Sequence, residues 1–158
     1  MPSFKGQYEH SVDNKGRVAF PAKLRKLLNP EARDQFTVIR GLETCLYLYP
    51  QDEWERVEDK LKQINSFTRN GRTVIRNLLR HAEDLSLDKQ NRLSLPSSLM
   101  SYSNISSSAI FIGMGDYIEV WNPEDLDKLD EEISQESYQE LFELVLGNGT
   151  DSGNNENG

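Results

Sequence analysis

Two short segments of the sequence place an aspartate, an arginine and a proline at identical spacing. DNKGRVAFP covers residues 13–21, and DKQNRLSLP covers residues 88–96, which begin 75 residues later. In each segment the arginine follows the aspartate by four residues across a polar turn, so the two side chains can form an ion pair. Cations beside a backbone turn also suit contact with phosphates and insertion into a DNA groove.

The cations of both segments are therefore the candidate binding residues. Four of them surround the first turn, where their charge is concentrated around a single loop. For Asp13 and Asp88 two interpretations stay open, because these carboxylates either fix the register of the turn and nothing more, or also serve binding. The predicted DNA-binding residues are Lys15, Arg17, Lys23, Arg25, Lys89 and Arg92.

The other shared residues of the two segments are predicted to shape the backbone. Gly16 stands where a turn requires positive φ, and Asn91 replaces it in the second segment as the next most tolerant residue. Pro21 and Pro96 have no N–H to donate, so each should end a strand and begin a helix. We predict structural roles for these four residues.

A catalytic role for the two aspartates is the competing interpretation. Two carboxylates related by a pseudo-twofold axis could share a proton, but each precedes a polar turn rather than a buried cleft. No sequence motif of a nucleotide-binding or hydrolytic enzyme occurs, and Cys45, His10 and His81 lack the spacing of a zinc site. We therefore predict no enzyme activity, no metal, no cofactor and no small-molecule ligand.

The segments around these motifs repeat in the same order. Alternating apolar residues flank each turn and predict a β-hairpin, and each proline is followed by a leucine-bearing helix. Two further strands and a second helix then follow in each copy, and the junctions LYLYPQDEW and IEVWNPEDL match. We predict a first repeat at residues 1–65, a connecting basic helix at 66–82, a second repeat at 83–146 and a disordered acidic Gly/Asn tail at 147–158.

The connecting helix is expected to run from residue 73 to residue 85, with Val74, Leu78 and Leu79 turned inward and the arginines outward. Each repeat alone is too small to bury its apolar face, which favours two copies packed as one pseudo-twofold unit.

The charge of the chain is unevenly distributed. The net charge is -8, but residues 1–30 carry a balance of +4, whereas the segment from residue 116 to the end carries -12. A basic front half is compatible with a polyanionic partner despite the acidic total. The sequence shows no apolar run long enough for a membrane span or a signal peptide, so we predict a cytoplasmic protein without a membrane partner.

The two motifs together are specific enough to indicate a family. Over roughly residues 3–145, with DNKGRVAFPAKLR and DKQNRLSLPSSLM in place, the sequence resembles the MraZ family of bacterial transcriptional regulators. The resemblance implies an α+β fold, mostly β with short helices. Two tandem AbrB-like swapped-hairpin repeats would form a pseudo-twofold, β-barrel-like core with the longer helices outside.

The resemblance also implies a function. It predicts a nucleoid-associated, sequence-specific DNA-binding repressor or regulator of the cell division and cell wall gene cluster, its own promoter included. Rings of eight or more subunits would bind repeated boxes in double-stranded DNA through the loops of the DxxxR motifs. The second motif departs from the family, because Asn91 replaces a glycine and PSSLM lacks the two basic residues of PAKLR. We therefore predict that the first loop is the main DNA contact.

Two alternatives of other classes stay open. A ring-forming protein-interaction scaffold could use the same fold without binding DNA. Neutralisation of a toxin partner is less favoured, because the tail at residues 147–158 has no apolar anchor for such a partner.

Overall fold

The computed structural model describes residues 2–147, in which short strands alternate with helices. Of the predicted disordered tail at residues 147–158, all residues after Gly147 lie outside the described part of the chain. The strands are β1 (Gln7–Ser11), β2 (Arg17–Ala19), β3 (Gln35–Arg40), β4 (Leu46–Pro50), β5 (Glu83–Ser86), β6 (Arg92–Ser94), β7 (Ser108–Gly113) and β8 (Ile118–Trp121). The α-helices are α1 (Ala22–Arg25), α2 (Gln51–Lys62), α3 (Arg69–Leu79), α4 (Ser97–Ser103), α5 (Pro123–Glu131) and α6 (Gln135–Phe142).

The two repeats exchange strands. A six-stranded antiparallel sheet has the order β1-β7-β8-β4-β3-β5. The hairpin β3–β4 of the first repeat pairs at its outer edge with β5 of the second repeat, and the hairpin β7–β8 of the second repeat pairs with β1 of the first. Neither repeat therefore has a complete sheet of its own, and the expected pseudo-twofold unit follows from this exchange.

The remaining strands, β2 and β6, form a separate two-stranded ribbon across the repeats. Its antiparallel register pairs Arg17 with Ser94, Val18 with Leu93 and Ala19 with Arg92. Val18 and Leu93 are buried, at 1% and 0% exposure, so the alternate residues of each strand point away from the core.

The predicted hairpin within each repeat is only partly correct. The turn forms, but β1 pairs with β7 and β2 pairs with β6, and only the isolated bridge between Val12 and Val18 joins the first two strands. Both valines are buried in the shared core, so the strands diverge past the turn into different ladders. The sequence pattern identifies the strands and the turn correctly, but their partners lie in the other repeat.

One hydrophobic core unites both repeats. The rings of Phe20 and Phe36 lie 5.1 Å apart, and those of Phe20 and Phe111 lie 6.0 Å apart in an edge-to-face arrangement. The α+β class is thus as predicted, with mostly strands and short helices. The hydrogen-bond ladders of residues 2–147 are the six-stranded sheet, which runs from β1 to β5, and the separate ribbon.

The connecting helix differs from its prediction. It begins earlier, because the Thr68 side chain accepts a hydrogen bond from the Gly71 N–H at 3.0 Å and caps the first turn. It also ends earlier, since Leu85 pairs with Phe36 as part of β5. Val74 and Leu79 are 53% and 44% exposed, so the prediction that they point inward is wrong.

Within the described residues, the chain divides into two compact units, 2–125 and 126–147. In the second unit α6 is followed by a π-helical turn at Glu143–Gly147, and neither contains a buried residue. The apolar side chains that the tail lacks occur just before it, where they are exposed. They are Tyr138, Leu141, Phe142, Leu144, Val145 and Leu146.

Among the described helices, none is sufficiently long and apolar to span a bilayer.

Removing a core side chain from the ribbon should destabilise the whole core, because both repeats pack on it. We expect Leu93→Ala to lower the free energy of unfolding by about 2–5 kcal/mol. The neighbouring Ser94→Ala, on the outward face, should change it by less than about 0.5 kcal/mol. Urea unfolding followed by circular dichroism measures both, and equal effects of the two substitutions would contradict the inward placement of Leu93.

Candidate nucleic-acid interface

Loop 1 (residues 12–16), which joins β1 to β2, is organised by one carboxylate. Asp13 Oδ1 accepts hydrogen bonds from the backbone N–H groups of Lys15 at 2.9 Å and of Arg17 at 2.8 Å. Asp13 Oδ2 accepts a third bond, from Arg17 Nε, at 2.7 Å. Asp13 therefore holds the turn and the arginine side chain at the same time.

Loop 2 (residues 87–91), which joins β5 to β6, repeats this arrangement. Asp88 Oδ1 accepts from the N–H groups of Gln90 at 2.8 Å and of Arg92 at 2.9 Å, and Oδ2 accepts from Arg92 Nε at 3.0 Å. The two motifs are thus equivalent in geometry as well as in sequence, although the position of Lys15 is taken by Gln90 and the second lysine is Lys89.

Both loops end on a residue in the left-handed conformation. Gly16 has φ of 77° and Asn91 has φ of 58°, as the sequence predicts for the turn. Gly16 also has little room, because a Cβ atom there would lie 2.9 Å from the Leu95 carbonyl oxygen and 3.1 Å from Met100 Sδ. Asn91 adopts the same left-handed conformation, which a residue with a Cβ atom tolerates less well than glycine.

The ion pairs leave most of each guanidinium available. Of the three guanidinium nitrogens of Arg17 and of Arg92, only Nε donates a hydrogen bond within the described residues. Their side chains are 33% and 30% exposed. The two terminal nitrogens of each fork are therefore free to donate, and a planar fork can contact a phosphate or a base edge through two bonds.

The outward face of the ribbon presents these two forks together. Arg17 and Arg92 lie at diagonal positions, since each pairs across the ladder with a small exposed residue, Ser94 or Ala19. Small neighbours leave a shallow surface between the arginines. A two-stranded ribbon of this kind fits the major groove of B-DNA, which is about 12 Å wide.

Electrostatics stabilise the charged form of both aspartates. The Arg17 backbone N–H has the largest influence and lowers the pKa of Asp13 below its ordinary value of 3.8; partial desolvation opposes it, and the Arg17 side chain and the Lys15 N–H lower the pKa further. The Arg92 N–H lowers the pKa of Asp88 in the same way, with help from the Gln90 N–H. Both ion pairs are thus complete at neutral pH.

The predicted basic residues do not all gather at loop 1. The Phe20 N–H donates to the Asn91 carbonyl at 2.9 Å, so the following Pro21 and α1 begin at the loop 2 end of the ribbon. Lys23 and Arg25 are part of α1. The grouping of these two residues with Lys15 and Arg17 is therefore wrong, because the antiparallel ladder carries the chain away from loop 1 before the helix starts.

The second short helix lies at the opposite end. The Leu95 N–H donates to the Gly16 carbonyl at 2.9 Å, and Pro96 then precedes α4 beside loop 1. An open groove of about 830 Å³ lies between loop 1 and α4. Sequence reasoning missed its uncharged polar lining, since only the register of β2 on β6 brings these segments together. The lining includes Asn14, Ser97, Ser101, Asn104, Ser106 and Ser107.

The described residues contain neither a metal-binding cluster nor a reactive thiol. No group of three metal-ligating side chains occurs in the described part of the chain. Cys45 is buried, and desolvation raises the pKa of its thiol to about 12, so it stays protonated.

Comparison with known proteins identifies the relationship. A family model described as "MraZ protein, putative antitoxin-like" matches the chain twice, at residues 3–77 and 78–147. The chain belongs to the MraZ family. The matches cover both DxxxR motifs, one in each repeat.

Several curated MraZ proteins align along nearly their whole length, each named transcriptional regulator MraZ. The one from Syntrophomonas wolfei is 38% identical over 146 residues, covering 92% of this chain and 99% of the relative. The one from Natranaerobius thermophilus is 36% identical over 143 residues, covering 90% and 96%. The one from Halothermothrix orenii is 37% identical over 142 residues, covering 87% and 93%. These names describe regulators and not enzymes, in agreement with the prediction that the chain has no catalytic activity.

The lowered pKa values predict how the loops respond to acid. We expect both carboxyls to titrate below 3.8, so the stability that they contribute is complete above pH 3.8 and is lost as the pH falls through the lowered values. Carboxyl ¹³C chemical shifts of aspartate-labelled protein measure this. In Arg17→Ala the pKa of Asp13 should rise only in part, because the backbone donors remain, and that of Asp88 should not change. Titration of Asp13 at or above 3.8 in the unsubstituted protein would contradict the account.

Proposed function

We propose that the chain is a sequence-specific DNA-binding transcriptional repressor. Its proposed target is the cell division and cell wall gene cluster, its own promoter included. The observation that supports this most is the ribbon, which presents two arginine forks on one shallow, outward face. The names of the curated relatives support regulation of transcription in general.

In the proposed contact the ribbon enters a groove of double-stranded DNA. Arg17 and Arg92 would donate from their free terminal nitrogens, while Asp13 and Asp88 hold each side chain in place from the opposite side of the fork. A side chain fixed in advance loses less conformational entropy on binding. Lys15 and Lys89, both exposed on the loops, would add phosphate contacts.

We also propose that the chain acts as a ring of eight or more copies in the cytoplasm, bound to the nucleoid. A single ribbon supplies few cations and the whole chain has a net charge of -8, so one subunit should bind DNA weakly. Several ribbons on one duplex would add by avidity on repeated promoter boxes. The exposed apolar side chains of Val74 and Leu79 on α3 are available for contacts between copies.

The arginines of the ribbon give the direct test. We expect Arg17→Ala and Arg92→Ala each to weaken binding to the duplex upstream of the chain's own gene by roughly 10- to 100-fold, or about 1–3 kcal/mol. Lys60→Ala, which removes one exposed cation from α2, should leave the affinity unchanged. Fluorescence anisotropy at fixed salt measures binding, and native mass spectrometry should find the same oligomer in every variant.

The scaffold without DNA binding predicts a different result. Unchanged affinity in both arginine variants, or equal weakening by Lys60→Ala, would reject the proposed contact. An intact ring that binds no promoter duplex would favour the scaffold.

A further inference from the structure

The two ends of the ribbon differ in charge although their Asp–Arg pairs are equivalent. At the loop 2 end, α1 joins the ribbon through the hydrogen bond between Phe20 N–H and the Asn91 carbonyl. At the loop 1 end, α4 joins it through the bond between Leu95 N–H and the Gly16 carbonyl. The helices are counterparts in the repeat, but α1 reads AKLR and α4 reads SSLMSYS.

The charged residues divide unequally between these ends. The loop 1 end carries Lys15 and Arg17 against Asp13, and α4 has no charged residue. Residues 22–26 and 87–92, which form the loop 2 end, carry five cations against the single carboxylate of Asp88. These five are Lys23, Arg25, Lys26, Lys89 and Arg92.

The repeat relation places Arg25 at the loop 2 end as well. Its counterpart in the other repeat is Met100, which lines the groove at loop 1.

We propose that α1 and loop 2 form the principal phosphate-binding end of the ribbon. This inference rests on the proposed DNA-binding function, and it reverses the expectation that loop 1 is the main contact. Phosphate contacts supply most of the salt-dependent affinity, whereas base contacts supply specificity.

The arginines of α3 are the competing basic surface. Arg72 is already engaged, because its Nη1 donates to the carbonyls of Ser66 at 3.1 Å and Phe67 at 3.0 Å. Arg76 in α3 and Arg80, the residue that follows α3, remain exposed outside the ribbon. They provide a matched control that removes the same number of charges.

The salt dependence of affinity for the duplex upstream of the chain's own gene tests the charge assignment. Each lost phosphate contact should reduce the slope of log affinity against log salt by about 0.9 per bound subunit. We expect Lys23→Gln combined with Lys26→Gln to reduce the slope by about twice the effect of Lys15→Gln alone. Arg76→Gln combined with Arg80→Gln should leave it unchanged. The inference is overturned if the α1 pair leaves the slope unchanged or changes it no more than Lys15→Gln does.

This experiment separates the inference from the function on which it rests. If Arg17→Ala and Arg92→Ala weaken binding but the α1 pair leaves the salt slope unchanged, DNA binding stands and the inference fails. If the wild-type protein does not bind the duplex, both fail. Circular dichroism and native mass spectrometry confirm that each variant keeps its fold and oligomer.

Discussion

The exchange of strands between repeats is the constraint on which the rest of the structure depends. The hairpin β3–β4 is completed by β5 of the second repeat, and β7–β8 is completed by β1 of the first. Because the outer strands are committed to the opposite repeat, β2 and β6 can pair only with each other. The ribbon is therefore a product of both repeats, and its inner residues Val18 and Leu93 belong to the common core. Any substitution that loosens the exchange should also misplace the arginines.

The polar residues of the motif serve the fold and the proposed contact together. Each aspartate uses one oxygen to accept from the backbone of the turn and the other to accept from the arginine Nε. The sequence left open whether these carboxylates only fix the register of the turn. Their geometry makes the two roles compatible, since fixing the turn also fixes the arginine and leaves its terminal nitrogens available. The same carboxylates lower the net positive charge of the loops, which increases the importance of cations elsewhere on the ribbon.

Local features of the fold could be predicted from the sequence, whereas pairing between distant segments could not. Residue types and their order predict the repeat and the strands. They also predict the positive φ of Gly16 and the helix that begins after Pro21. Alternation of apolar residues does not reveal which strand is the partner, so only the family resemblance, with its swapped hairpins, indicated the exchange. The error in placing Lys23 and Arg25 at loop 1 has the same origin, because residues close in sequence are separated by the length of β2. Periodicity alone predicts that the apolar residues of α3 point into the core. It cannot distinguish an apolar face buried within the chain from one that is exposed and could contact another copy.

The central claim is that DNA contacts the ribbon and the helix beside loop 2, and lysine acetylation of the unmodified protein tests it most directly. The chain carries lysines on and away from this surface, so one experiment contains its own controls. With the promoter duplex present, mass spectrometry should show reduced acetylation of Lys15, Lys23, Lys26 and Lys89 relative to the free protein. Acetylation of Lys60, Lys62 and Lys128 should be the same in both states. Protection of Lys60 and Lys62 by DNA, with the ribbon lysines still reactive, would contradict the account.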